Sequence, residues 1–139
     1  MPSVEFVRLR KPEKAKHLAE LAEEFFQAGA RVLISVQDAN QGVTLDRFLW
    51  TWNKGSFLPH AFDNGSVDCF DEPILICTDE RNGNGATVLI MGRPCSLEFV
   101  RGFEQVVDFA ELYDETLAAA SRQRFAAYRE AGFAPRMRE

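Results

Sequence analysis

The sequence predicts an α/β fold: a single three-layer domain with a mostly parallel or mixed central sheet flanked by helices. Short apolar runs of strand length alternate along the chain with longer segments of helical periodicity, which is the pattern of βαβ architecture. The 139 residues match one domain, and 46% hydrophobic with 27% charged residues is typical of a soluble globular protein. We therefore expect one domain over residues 1–133 and a short, frayed tail at residues 134–139.

The first half of the chain predicts a βαβ unit. Residues 4–9 have the pattern of a first strand, and the apolar run 32–36 is typical of a strand buried on both faces. The helix between them should end at Gly29, and its apolar residues recur at helical spacing: Ala15, Leu18, Leu21, Ala22, Phe25 and Phe26. A second helix is predicted over residues 41–52, beginning near Asp38.

The second half of the chain predicts further strands and a long final helix. Buried strands are expected at residues 74–77 and 87–91, joined by a short segment that contains two glycines. Because parallel strands need a crossover of a dozen or more residues, this short connection predicts a hairpin and hence a mixed sheet. A short helix at residues 96–103, a last strand at 106–109 and a helix over 113–131, ended by Gly132, complete the prediction.

Charge and cysteine content argue against several classes of protein. The net charge of −5 disfavours a duplex-DNA binder, although five arginines and two glutamates make residues 122–139 locally basic. Direct binding of single-stranded nucleic acid by this end is one alternative. No apolar run approaches the ~20 residues of a membrane span and no secretory signal is evident, so we expect a cytoplasmic protein. The odd, widely spaced cysteines are interpreted as reduced, mostly buried thiols: Cys69, Cys77 and Cys95.

Few sequence features suit catalysis or cofactor binding. The turn at residues 9–14 lacks the glycines of a phosphate-binding loop, and the glycine-rich segment 82–85 lies between two strands, where it predicts a mobile hairpin. Neither His17 nor His60 has ligand spacing to a cysteine, so we expect no metal and no cofactor. The sequence contains no recognisable nucleophile motif, so we expect no intrinsic enzymatic activity. A small nucleotide-using α/β protein with an unrecognised phosphate site is the alternative from the enzyme class.

An aromatic segment at residues 45–62, LDRFLWTWNKGSFLPHAF, indicates a binding surface. If its first part is helical, Phe48, Leu49 and Trp52 share the face of Leu45, whereas Trp50 points away from them. Either a second layer of the domain covers Trp50, or this side chain anchors a partner protein. In the second interpretation the nearby apolar residues extend the patch across the following turn, namely Phe57 and Leu58.

The final helix indicates a second surface. Its predicted core stripe contains Leu117, Ala120, Ala127, Tyr128 and Ala131, whereas Arg122, Phe125 and Arg129 cluster on the outer side. Guanidinium groups beside an aromatic ring suit an acidic peptide that ends in a hydrophobic residue. The alternative is a solvated helix face with an incidental Phe. Arg124 falls inside the stripe, so its stem should be buried and its head paired with an acidic neighbour.

Several short strings together resemble one protein family. RVLISVQD, LDRFLW, SFLPH, VVDF and RQRFAAYREAGF occur in an order and spacing that resemble the chi subunit of bacterial DNA polymerase III. The resemblance extends from about residue 4 to residue 133. It implies a non-catalytic accessory subunit of the clamp-loader assembly, with a nucleotide-binding-like fold that lacks the phosphate loop. It also implies two partners, the psi subunit and the acidic C-terminal tail of single-stranded DNA-binding protein, so that nucleic acid is contacted only indirectly.

The resemblance also assigns residues to the two surfaces. It places in or near the psi contact Trp50, Phe57, Leu58, Pro59 and His60. It places in or near the tail site Arg122, Phe125 and Arg129, bordered by Gly132 and Ala110. Phe125 stands where related chains often carry Tyr, and Ala118 and Ala126 replace lysines that are common on this helix. These departures imply a weaker affinity for the tail.

Overall fold

The computed structural model describes residues 1–52, 55, 57–65 and 71–138. Its elements are, in order, β1 (Ser3–Leu9), α1 (Lys14–Gln27), β2 (Val32–Ser35), α2 (Ala39–Thr51), β3 (His60–Asp63), β4 (Ile74–Cys77), β5 (Val88–Met91), α3 (Leu97–Val100), β6 (Gln105–Glu111), α4 (Glu115–Glu130) and β7 (Arg136–Met137). In the described part of the chain, the strands form one seven-stranded sheet in the order β3-β4-β2-β5-β6-β1-β7. Every pairing is parallel.

Helices cover both faces of the sheet, which confirms the predicted three-layer α/β domain. α1 and α2 pack on one face, where their apolar residues join Val32 and Ile34 of β2 in one core cluster. α3 and α4 pack on the other face, where Leu33 belongs to the second cluster. The side chains of β1 alternate in the same way, so that Phe6 faces α4 and Val7 faces α1. None of the described helices is long and apolar enough to cross a membrane.

The predicted hairpin between β4 and β5 is wrong, and with it the mixed sheet. Both strands pair with β2, which lies between them. The connection, residues 78–87, returns from the carboxyl ends of the strands to their amino ends through bends and a turn, without a helix. Buried Asn84 anchors it there, because its amide donates to the carbonyls of Val32 and Glu72. The glycine-rich segment is therefore held by the sheet and is not a mobile hairpin.

Two strands were not predicted from the sequence. β3 contains His60 and pairs with β4 at one edge of the sheet. β7 lies within the expected frayed tail and pairs with β1 at the other edge, where Met137 stands beside Phe6. Arg138 also forms an ion pair with Glu24 of α1. β7 has only two residues, and β3 lacks the continuous apolar run of the other four-residue strands, so only pairing with a neighbour defines these two.

The ends of the helices agree with their sequence signals. Asp38 precedes α2 and accepts a hydrogen bond from the Gln41 N–H at 2.9 Å, as a residue at the N-cap should. Asp114 does the same for Leu117 at the start of α4. After α4, Gly132 adopts a φ of +93°, a left-handed conformation that glycine reaches without steric cost.

The face of α4 that packs on the sheet agrees with the predicted stripe at Arg124 and Tyr128 but differs from it at Leu117, Ser121 and Phe125. Leu117 is exposed, whereas Ser121 and Tyr128 are buried, and Arg124 and Phe125 are partly buried between them. Polar groups of the sheet explain the shift. The Ser121 hydroxyl donates to the carbonyl of Phe109, so that this small residue, rather than a leucine, lies closest to β6.

Arg124 forms the buried ion pair that the sequence predicted, and its partner is Asp108 of β6. The Nε and Nη2 atoms of Arg124 lie 2.9 and 3.1 Å from the two Asp108 oxygens. The Tyr128 hydroxyl donates to the same carboxylate at 3.3 Å. Burial, and then the charge of Asp108, raise the pKa of this hydroxyl far above its ordinary value, so it stays protonated.

The cysteines are free thiols where the structure describes them. Cys77 is buried and Cys95 is half-buried, as expected, while Cys69 lies outside the described residues. Burial raises the pKa of Cys77 to about 12 and also raises that of Cys95. Neither thiol therefore ionises appreciably near neutral pH.

We predict that Asp108→Ala lowers the free energy of unfolding by about 3 to 5 kcal/mol, because it leaves the Arg124 guanidinium half-buried and without its carboxylate. Denaturant unfolding measures the change. Glu104→Ala is the control, since it removes an exposed carboxylate and should change stability by at most about 0.5 kcal/mol. Equal effects of the two substitutions would contradict a structural role for the ion pair.

Candidate functional site

A groove runs between α4 and the strands β6, β1 and β7. It encloses a cavity of about 610 Å³. Its floor is apolar and combines residues from all four elements: Phe6, Ala110, Phe125 and Met137. Its rim carries the charged residues Arg8, Arg122, Arg129 and Glu130. We call this feature the α4 groove.

The floor of the α4 groove follows from the alternation of β1. Phe6 faces α4, and its ring centroid lies 5.2 Å from that of Phe125 and 5.8 Å from that of Tyr128. Phe125 is therefore only partly exposed, because one side of its ring rests on Phe6. Met137 lies next to Phe6 in the register of β7 and extends the apolar surface to the edge of the sheet.

The rim of the α4 groove is positive. Arg8, Arg122 and Arg129 are exposed, and among the described residues no ion pair joins any of them to a carboxylate. The Arg129 guanidinium lies 5.2 Å from the centroid of the Phe125 ring, within range of a cation–π interaction. Unpaired guanidinium groups beside an apolar floor can receive a ligand that is both acidic and apolar.

The structure brings together most of the residues that the sequence analysis assigned to this surface. Arg122, Phe125, Arg129 and Ala110 all line the α4 groove. Gly132 does not, because it lies past the end of α4, where an added Cβ would approach Met1.

The sequence analysis missed the strand residues of the groove. Arg8 lies far from α4 in the chain, whereas Met137 follows α4 closely but lies in the segment that was expected to be a frayed tail. The alternation of β1 was the available signal, since it places Arg8 on the same face as Phe6. This signal could be used only after β1 and α4 were known to be neighbours.

A second candidate surface is formed by Trp50 and Phe57, and we call it the Trp50 surface. The two side chains are 54% and 66% exposed, and their ring centroids lie 5.6 Å apart. The interpretation in which a second layer covers Trp50 is therefore wrong. The other residues assigned to this surface are less accessible, since Leu58 and His60 are buried and Pro59 is half-buried.

His60 supports the Trp50 surface from beneath. Its ring centroid lies 4.4 Å from that of Trp50. The ring is held in place because Nδ1 lies 2.7 Å from the carbonyl oxygen of Leu58 and Nε2 lies 3.0 Å from that of Asp46. His60 thus fixes the orientation of Trp50 and presents no contact surface of its own.

One place where a nucleotide phosphate could bind, the start of α2, is already engaged by the chain, and the lysine at the start of α1 already has partners. The Asp38 carboxylate accepts the Gln41 N–H at the start of α2, where a phosphate oxygen would otherwise bind. Lys14, at the start of α1, pairs with Glu111 at 3.2 Å and donates to the Gly92 carbonyl. Among the described residues, no group of three or more His, Cys, Asp or Glu is placed to hold a metal ion.

Comparison with known proteins identifies relatives over most of the chain. The family model described as "DNA polymerase III chi subunit, HolC" matches residues 1–136. DNA polymerase III subunit chi of Escherichia coli (strain K12) is 35% identical over 117 residues, which cover 84% of this chain and 78% of that protein. The protein of the same name from Haemophilus influenzae is 29% identical over 114 residues, covering 81% and 78%. These matches confirm the resemblance found in the sequence.

We predict that Trp50→Ala changes the free energy of unfolding by less than about 1 kcal/mol, because most of this side chain is in water. Leu49→Ala, one position earlier on α2, should lower it by about 2 to 5 kcal/mol, since Leu49 is buried in the core. Denaturant unfolding of both variants tests the contrast. A large loss for Trp50→Ala would mean that Trp50 serves the fold rather than a surface.

Proposed function

The chain belongs to the DNA polymerase III chi subunit family, and we propose that it is a non-catalytic accessory subunit that bridges two protein partners during DNA replication. One partner is the psi subunit of the clamp loader, bound at the Trp50 surface. The other is the acidic C-terminal tail of single-stranded DNA-binding protein, bound in the α4 groove. The family match supports the role within the polymerase assembly, and the geometry of the two surfaces supports the assignment of the partners.

The α4 groove is the observation on which the tail assignment rests. An acidic tail with an apolar end needs cations for its carboxylates and an apolar recess for its last side chain. Arg122 and Arg129 supply the cations on α4, and the floor around Phe125 supplies the recess. Phe125 packs against Phe6 with the two rings tilted by 55°, so the recess is formed before the tail binds and little ordering is required.

Binding of one tail should be weak and sensitive to salt. Exposed ion pairs contribute at most about 1 kcal/mol each, so burial of the apolar end of the tail must supply most of the affinity, which we expect near the micromolar range. A single-stranded DNA-binding protein that presents several tails raises the effective concentration of the next tail once one is bound. The subunit would therefore hold the coated strand firmly and still release each tail quickly.

The Trp50 surface is suited to a protein partner. Trp50 and Phe57 are large, exposed and adjacent, and aromatic side chains of this kind dominate the binding energy of protein interfaces. α2, which carries Trp50, packs on the face of the sheet opposite to α4. The two partners can therefore bind at the same time, as bridging requires.

We expect a labelled peptide of the acidic tail to bind the protein saturably and to lose affinity about three- to fivefold in Arg122→Ala at low salt, because one exposed charge-assisted contact is removed. Fluorescence anisotropy at low and moderate salt measures both effects. Arg47→Ala is the matched control, since it removes an exposed arginine from α2, on the other face of the sheet. Absence of binding by the unmodified protein would exclude the tail assignment.

We expect Trp50→Ala combined with Phe57→Ala to abolish co-purification with the psi subunit and to leave tail binding unchanged, because truncated interface anchors commonly cost about 2 kcal/mol or more. Tyr113→Ala combined with Leu117→Ala is the control, since it removes two comparably exposed side chains near α4. If psi is retained by the first double variant, its binding site lies elsewhere on the molecule.

A further inference from the structure

A third arginine reaches the α4 groove from the sheet. We propose that Arg8 of β1 binds a carboxylate of the acidic segment that occupies the groove, so that the segment is held from both walls. This inference rests on the proposed function of the groove and adds to it a residue that determines specificity. Arg8 lines the groove, is exposed, and takes part in no ion pair among the described residues.

The register of the sheet places Arg8 level with Arg122. Arg8 is the partner of Ala110 in the pairing of β1 with β6. On α4, the hydroxyl of Ser121 donates to the carbonyl of Phe109 and accepts from the N–H of Glu111. Ser121 therefore lies over the stretch of β6 that flanks Ala110, and Arg122 follows it directly. The two arginines thus stand at the same height on opposite walls of the groove.

The charge of the α4 wall explains why an opposing cation matters. On α4 the groove is lined by Arg122 and Arg129 but also by Glu130, so this wall carries a net charge of only +1. Glu130 repels an acidic ligand, and the small residues Ala118 and Ala126 contribute no charge. Arg8 raises the net charge of the lining to +2 and places the added charge at the end of the groove away from Met137. An acidic segment therefore finds cations on both sides at the level of Ala110.

The proposed contact also fixes the direction of the bound segment. The apolar recess lies around Phe6, Phe125 and Met137. The arginine pair lies closer to the carboxyl ends of the strands, because Arg8 follows Phe6 by two residues on the same face of β1. A segment with carboxylates before a final apolar residue can satisfy both at once if it runs from Arg8 toward Met137. A neutral segment gains nothing at Arg8.

The experiment compares tail-peptide affinity among variants of the full chain by fluorescence anisotropy. Arg8→Ala and Arg8→Gln should each raise the dissociation constant about three- to fivefold at low salt, the upper range of an exposed charge pair. Arg8→Lys, which keeps the charge, should stay within about twofold of the unmodified protein. Arg10→Ala is the matched control: it removes an exposed arginine two positions along, outside the groove, and should also stay within about twofold.

Salt dependence provides a second readout that a structural defect would not reproduce. The difference between Arg8→Ala and the unmodified protein should shrink toward zero at about 0.5 M salt, where charge interactions in water are screened over a few ångströms. Equal melting temperatures of the variants are expected because Arg8 is exposed. A difference that persists at high salt, or unchanged binding in Arg8→Gln, overturns the proposed contact.

The outcomes distinguish this inference from the function on which it rests. If the peptide binds and Arg122→Ala weakens it while Arg8→Ala and Arg8→Gln do not, the contact at Arg8 is wrong and the tail assignment stands. If Arg10→Ala weakens binding as much as Arg8→Ala, the effect is the general field of the basic surface, and the specific contact is again wrong. If the unmodified protein binds no peptide, the proposed function fails and the role of Arg8 fails with it.

Discussion

The ion pair between Arg124 and Asp108 is the interaction on which the candidate site depends. It joins α4 to β6 across the face of the sheet, and the Tyr128 hydroxyl donates a hydrogen bond to the same carboxylate. The Asp108 side chain is only 2% exposed, so α4 cannot rotate about its axis without leaving a buried charge alone. The rotation angle of α4 in turn decides which residues face the groove. Arg122, Phe125 and Arg129 line it because Arg124 and Tyr128 point to the sheet.

The two candidate surfaces differ in how they are built. The α4 groove combines residues that the tertiary fold brings together, and its apolar floor is continuous with the core through Phe6. The Trp50 surface is almost local, because Trp50 and Phe57 are seven positions apart in the chain, and buried His60 supports the indole. Their placement on opposite faces of one rigid parallel sheet separates the two binding functions. A change at one surface is therefore not expected to reach the other through direct contact.

The sequence predicted the orientation of some side chains correctly and that of others wrongly. Helical periodicity predicted that Trp50 points away from the face of Leu45 and that Arg124 has a buried partner, since each is a statement about one face of one helix. The exposure of Trp50 itself was left open by the sequence and was decided by the structure. Leu58 and His60 were assigned to a surface, but both are buried. His60 begins β3, whose pairing at the edge of the sheet places this segment against the core. The face of α4 was misjudged for a related reason. Its contacts with β6 favour a serine over a leucine, which hydrophobicity alone does not indicate.

By itself, the sequence determined the α/β class, the order of the longer elements, the start of α2 after Asp38, the end of α4 at Gly132, and the cluster of Arg122, Phe125 and Arg129, because these depend on neighbours within a few positions. Only the tertiary structure decided the parallel pairing of β4 and β5 with β2, the existence of β7, and the placement of Arg8 and Arg122 in one groove. These features depend on which strands lie side by side. Strand neighbours are selected by the packing of the whole sheet, and the periodicity of a single strand records which face is buried but not which strand lies next to it.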